Sequence, residues 1–163
     1  MKDKLKIYIE ENFQKEIHKN KQMYYQELDG MCGESSVAYT DINAFIKQKD
    51  KYNNFQSLLF KLIDERNLKD SDVYNKVHID RRLFSKIRKD CNYHPSKETI
   101  ILLGLSLELS ELEIEELLES ASYSLPKNNY YDLIIRFCFI NKIYKISKVN
   151  SLLDEYHCKL FNY

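Results

Sequence analysis

Potential helix caps divide residues 67–118 into short segments, and this division constrains the fold more than any other feature of the chain. Asp70 or Ser71 is placed to cap a first helix, because each side chain can accept a hydrogen bond from an unpaired N–H group in the first helical turn. Asp80 is placed to cap a second helix, RRLFSKIRKD. The sequence therefore predicts two helices of about eight to ten residues, separated by a turn of about three or four.

A proline marks the end of that pair. Pro95 lacks a backbone N–H and biases the residue before it away from helical geometry, so residues 92–95 are predicted to form a loop. Ser96 then begins a third helix. Ser110 begins a fourth, with Glu113 three residues later as in a capping box. We therefore expect four short helices in this stretch.

The spacing of apolar residues indicates which side of the first two helices faces the core. The inward-facing residues would be Val73, Val77, Leu83, Phe84 and Ile87. The second helix then directs a polar and mostly basic face outward, and the residues of this face are Arg81, Arg82, Ser85, Lys86, Arg88 and Lys89.

This arrangement resembles the Cro/lambda-repressor-like, or XRE-type, helix-turn-helix family over roughly residues 53–120. The matching residues are Leu68 and Val73 before the turn, Ile79-Asp80 in it, and Phe84-Ser85-Lys86-Ile87 after it. The segment HPSKETIILLGLSLELSELEIEELL is similar to the family's trailing pair of helices. The resemblance implies an all-α fold with a five-helix core, which begins near Asn53 with the segment NNFQSLLFKLIDERN.

Residues 1–50 are predicted to form an N-terminal addition to this core. An amphipathic helix over 2–17 carries apolar residues four positions apart, starting at Leu5, with lysine and glutamate elsewhere. A loop at 18–40 and a short helix capped by Asp41 follow. The apolar stripe of the first helix fits either packing on the chain's own core or contact within a dimer.

Residues 123–163 are predicted to form two further helices next to the helix-turn-helix core at 51–122. Their apolar faces run from Tyr130 to Asn141 and from Val149 to Tyr156. A five-helix core does not need this much additional apolar surface for its stability. The two helices therefore either cover an exposed side of the core or contact another subunit or a protein partner.

Composition excludes several classes of function. No apolar run approaches the ~20 residues needed to cross a bilayer, and the charged start MKDKLKIYIEEN does not fit a secretory signal, so a cytoplasmic location away from membranes is expected. Cys32, Cys91, Cys138 and Cys158 form no CxxC pair, which predicts reduced thiols and no metal site. Scattered histidines and the lack of a glycine-rich phosphate loop predict a protein that is not an enzyme and has no cofactor.

The charge of the chain is strongly polarised, although lysine and arginine balance aspartate and glutamate at 25 each. Residues 66–97 carry nine cations and four acids, a net charge of +5, whereas residues 98–120 carry seven acids and no cation. The basic segment contains helix 80–90, the position that a helix-turn-helix places in the DNA major groove. We therefore predict a DNA-binding transcriptional regulator that acts as a homodimer on double-stranded DNA.

The position of each cation on that helix predicts its role. Arg81 and Arg82 lie at the N-terminal end, which enters the groove, and can form two-point hydrogen bonds with guanine. Ser85 and Lys86, one turn later, would reach bases or phosphates. Arg88 and Lys89 are expected to contact phosphates, which adds affinity and salt dependence without sequence preference.

Two other interpretations stay open. Tyr74, His78 and Asp70 stand where the family usually has a small residue, a glycine and a glutamine that supports phosphate contact. They favour a helix-turn-helix scaffold that binds a protein without sequence-specific DNA binding, as an antitoxin, a phage inhibitor or an accessory factor of a defence system would. RNA binding through Tyr93, His94 and the basic helix is a weaker third interpretation, because no recognised RNA motif is present.

Overall fold

The structure, a computed structural model, describes residues 1–13, residue 15 and residues 54–162. The predicted loop at 18–40 and the short helix after Asp41 lie outside these residues. The described residues form helices and turns without a strand, which confirms the all-α class. The helices are α1 (2–13), α2 (Phe55–Glu65), α3 (Asp70–Lys76), α4 (Arg81–Lys89), α5 (Lys97–Ser106), α6 (Glu111–Glu119), α7 (Tyr130–Ile140) and α8 (Ile146–Glu155).

Three of the predicted helix starts are confirmed. Asp80 caps α4 through a hydrogen bond that its carboxylate accepts from the N–H of Arg82 at 2.6 Å. Ser96 caps α5. Ser110 and Glu113 form the capping box of α6, each side chain accepting a hydrogen bond from the other residue's backbone N–H.

The start of α3 differs from the prediction. Asp70 is the first helical residue, and Lys69 occupies the cap position without a side-chain hydrogen bond to the first turn. The Asp70 carboxylate instead accepts a hydrogen bond from the Arg88 guanidinium at 2.5 Å. The prediction that Asp70 or Ser71 caps this helix is therefore wrong, because a partner on α4 has taken the place of the local N–H groups.

Six helices end in the same kind of turn. In each, a residue with φ between 52° and 58° follows the helix, and the N–H of the next residue donates to the carbonyl five positions earlier. This is the Schellman arrangement, in which glycine is the usual left-handed residue. None of the six is a glycine. They are Asn67, His78, Glu108, Ser122, Lys142 and His157.

The N-terminal helix packs on the C-terminal helices. Leu5 and Ile9 of α1 are buried, and the Tyr8 ring lies 5.5 Å from the Phe137 ring on α7, centroid to centroid. Lys2 also pairs with a glutamate of α8, with 3.1 Å between nitrogen and oxygen. The apolar stripe of this helix therefore contacts the chain's own core.

The two C-terminal helices are also part of the core. α7 buries residues on all sides, and α8 buries one stripe of apolar residues. The buried apolar residues are Leu133, Ile134, Ile135, Phe137, Cys138 and Phe139 on α7 and Ile146, Val149, Leu152 and Leu153 on α8. Tyr130, predicted on the apolar face, is 48% exposed. No helix of the described residues is long and apolar enough to span a membrane.

Helices α5, α6 and α7 approach closely at Gly104. A Cβ atom at this position would lie 2.5 Å from Cδ1 of Ile114 and 3.2 Å from Cζ of Phe139. The absence of a side chain therefore lets α6 and α7 lie against α5. This contact joins the C-terminal helices to the helices that support α4.

Candidate nucleic-acid interface

Apolar contacts fix the inner side of α4. Phe84 and Ile87 are buried there. The Phe84 ring centroid lies 6.0 Å from that of Phe60 on α2 and 5.5 Å from that of Tyr74 on α3. The half-buried Tyr74 ring thus packs between α3 and α4, and the two helices accommodate it as part of their contact.

Polar contacts hold the C-terminal end of α4. The Gln56 side chain on α2 donates hydrogen bonds to the carbonyls of Ile87 at 3.0 Å and Arg88 at 2.6 Å. These belong to the last carbonyls of the helix, which have no partner within it. The Arg88 guanidinium lies 3.9 Å from the centroid of the Phe60 ring and also donates to Asp70. Arg88, one of the six predicted DNA-contacting residues, therefore has an anionic and an aromatic partner within the protein.

The other predicted residues form the outer side of α4. Arg81, Arg82, Lys86 and Lys89 are exposed, and Ser85 is partly exposed. None of the four cations forms an ion pair within the residues the structure describes. We refer to Arg81, Arg82, Lys86 and Lys89 as the open basic face.

The acidic segment does not neutralise this face, because most of its carboxylates contact cations elsewhere. Five of its seven acids form ion pairs, and none of their partners is on α4. Glu98 pairs with Lys159, Glu108 with Lys76, Glu113 with Arg66, and both Glu111 and Glu115 with Arg136. Most of the segment's negative charge is therefore neutralised by ion pairs with cations outside α4.

Arg136 connects α6, which contains five glutamates of the acidic segment, to α7. Its side chain is only 12% exposed, lies 2.8 Å from Glu111, contacts Glu115, and donates to the carbonyl of Leu125 at 2.9 Å. Burial alone would lower the pKa of Arg136, but the two carboxylates outweigh it and raise the pKa above its usual value.

Glu113 connects the same helix to Arg66, the residue that follows α2. It lies 2.7 Å from Arg66, whose guanidinium also donates to the carbonyl of Leu107 at 3.0 Å. Burial alone would raise the pKa of Glu113. Hydrogen bonds from Ser110 and Arg66, together with the charge of Arg66, outweigh burial and lower the pKa below its usual value.

The aromatic residues after α4 are in contact with other side chains. The Lys86 ammonium lies 4.3 Å from the centroid of the Tyr93 ring, a cation–π contact. The His94 ring lies 5.2 Å from the Tyr123 ring. Stacking of an RNA base on the face of Tyr93 that Lys86 covers would have to displace this lysine.

The described residues provide no group of three or more His, Cys, Asp or Glu that could hold a metal ion. Cys91, Cys138 and Cys158 are free thiols. Burial raises the pKa of Cys138 to about 12, which leaves its thiol protonated and unreactive near neutral pH. Cys91 is exposed, three residues beyond Arg88.

No protein-family model matches this chain, and neither the comparison with curated proteins nor the comparison with solved structures found a significant match.

Proposed function

We propose that this chain is a DNA-binding regulator that places α4 in the major groove of double-stranded DNA. The open basic face carries the proposal. Four exposed cations lie on one helix of a neutral protein, and none of them has an acidic partner within the described residues. A face of this kind attracts the phosphate backbone and leaves arginine side chains available to contact bases.

The connection between α3 and α4 supports the use of this pair as a helix-turn-helix. His78 stands in the turn with φ of 55°, the left-handed geometry for which the resembling family uses glycine. Tyr74 replaces the family's small residue and packs on Phe84. Helices α2 to α6 would form the five-helix core of this arrangement, with α1, α7 and α8 packed beside it.

Within the proposal each cation keeps the role given by its position. Arg81 and Arg82, in the first turn of α4, would contact base edges. Ser85 and Lys86 would contact bases or phosphates, and Lys89 would hold a phosphate. Since one helix contacts only a few base pairs, the regulator would act as a homodimer on a two-fold site.

Selection from random duplex DNA tests the proposal. The purified chain, the double variant Arg81→Ala/Arg82→Ala and a control variant Lys127→Ala/Lys148→Ala would be compared at two salt concentrations. The control removes two exposed cations outside α4. Enrichment of a short inverted repeat by the wild type and the control, but not by the arginine variant, is the expected result.

Failure of the wild type to enrich any sequence at either salt concentration would overturn the proposal. Equal enrichment by the arginine variant would also overturn it, because base contact would then lie elsewhere. Circular dichroism of each variant verifies that the helical fold is retained.

A protein-binding scaffold is the second candidate, and the ion pair between Asp70 and Arg88 favours it. This pair neutralises one cation of α4, and Asp72 adds a negative charge in the first turn of α3, which makes the region less attractive to a DNA backbone. Such a scaffold would fit an antitoxin, a phage inhibitor or a defence accessory factor. Its partner would contact the exposed sides of the helices, since most apolar residues of α7 and α8 are buried.

A further inference from the structure

Arg88 differs from the other cations of α4 in having a carboxylate partner. Its guanidinium lies 2.5 Å from the Asp70 carboxylate, and the two side chains are 46% and 37% exposed. Both therefore face an open groove between α3 and α4, whose lining also includes Tyr74, Arg81 and Ser85. A ligand that reached this groove would meet both charges.

The position of the guanidinium is fixed on two sides. One face of its plane lies over the Phe60 ring at 3.9 Å, and an edge donates to Asp70. Gln56 also binds the carbonyl of Arg88 at 2.6 Å, so the backbone at this point is held by α2. Asp70 accepts a hydrogen bond from Nη2, so a phosphate would have to bind the remaining N–H groups beside a carboxylate of the same charge sign.

We propose that Asp70 sets the DNA affinity of this chain by holding Arg88 away from the phosphate backbone. The inference rests on the proposed function of α4. With Arg88 bound to Asp70, the cations of α4 that contact the phosphate backbone are Lys86 and Lys89, and sequence-independent binding stays weak. Removal of the Asp70 charge releases the guanidinium and adds one phosphate contact.

The test is a double-mutant cycle with Asp70→Asn, Arg88→Ala and the combined variant, measured by fluorescence anisotropy on a random-sequence duplex over a range of salt concentrations. Asp70→Asn should tighten binding about three- to tenfold and increase the salt dependence by about one released counterion. Arg88→Ala alone should change the affinity less than about twofold. The combined variant should show no gain over Arg88→Ala.

Asp72→Asn is the matched control, because it removes the same charge from the first turn of α3, and Asp72 forms no ion pair within the described residues. A gain with Asp72→Asn equal to that with Asp70→Asn would overturn the inference, since general charge repulsion would explain both. A gain that persists in the combined variant would overturn it as well.

The two proposals fail in distinguishable ways. If the wild type binds DNA and Asp70→Asn leaves its affinity unchanged, only the role of Asp70 is wrong. If neither protein binds duplex DNA at any salt concentration, the function proposed for α4 is wrong. Urea unfolding of each variant shows whether a change in affinity reflects a change in fold.

Discussion

The acidic helix α6 and the basic helix α4 are both densely charged and use their charges in opposite ways. On α6, Glu111 and Glu115 contact the largely buried side chain of Arg136 on α7, and Glu113 contacts Arg66, the residue after α2. On α4, the cations of the open basic face lie in solvent without an acidic partner in the described chain. The charge of α6 therefore holds neighbouring helices together, whereas that of α4 is available to a partner molecule.

Replacement of Arg136 should have the largest effect on stability. Arg136→Met is expected to lower the free energy of unfolding by about 3 kcal/mol, because it leaves two carboxylates without their cation and removes a partly buried hydrogen bond to the Leu125 carbonyl. Glu111 and Glu115 are partly exposed and can regain water, so we expect the lower end of the range for a broken buried pair.

Urea unfolding followed by circular dichroism measures this effect, with Lys148→Met as the control for loss of an exposed cation. A loss below about 1 kcal/mol, the usual value of an exposed ion pair, would contradict the structural role assigned to the charge of α6.

Replacement of Glu113 should have an intermediate and pH-dependent effect. Glu113→Gln is expected to cost about 1–2 kcal/mol at pH 7, because it weakens the capping box and the contact with Arg66. The pKa of Glu113 is lowered in the folded chain from an ordinary value of 4.5, so its ionised form stabilises the fold above that value. This contribution is lost as the pH falls through the folded pKa.

Urea unfolding of both proteins at several pH values between neutral and acidic measures the difference. We expect the two free energies of unfolding to converge below the ordinary pKa of glutamate. A difference that stays constant over the whole range would show that the ionised Glu113 is not what stabilises α6.

The smallest effects on stability should come from unpaired charges. Lys86→Gln/Lys89→Gln on α4 and Glu116→Gln/Glu119→Gln on α6 should each change the free energy of unfolding by less than about 0.5 kcal/mol. The lysine variant alone should weaken DNA binding and reduce its salt dependence by about two counterions, as measured by anisotropy. If the lysine variant lost more than about 1 kcal/mol of stability, the charges of α4 would stabilise the fold as those of α6 do, which would contradict the comparison.

The parts of the fold that the sequence predicted correctly depend on neighbours a few positions apart. The caps of α4 and α5 and the capping box of α6 each join a side chain to a backbone N–H within three residues, so their spacing is visible in the sequence. The cap predicted for α3 failed because Asp70 binds Arg88, 18 positions away. The spacing of residues along the sequence does not show whether a side chain will bind a nearby backbone N–H or a residue that is distant in the sequence.

The sequence predicted which residues form the candidate site, but not the contacts that hold it in place. The sequence identified every residue of the open basic face, because Phe84 and Ile87 mark the buried side of the helix and the cations lie away from that side. It did not reveal that Gln56 binds the end of α4, since this contact joins positions 31 and 32 residues apart. Nor could a count of charges separate the paired carboxylates of α6 from the unpaired cations of α4.

The left-handed residues that follow six helices are sites where substitution could stabilise the chain. Glycine at Ser122 or Lys142, both exposed, would relieve the backbone cost of φ near 55° and gain on the order of 0.5–1 kcal/mol each. Glu108 is also left-handed, but its carboxylate forms an ion pair with Lys76, with 2.6 Å between oxygen and nitrogen. A thermostabilised variant would therefore replace the first two residues and keep Glu108, where the side chain offsets the strain of its own backbone.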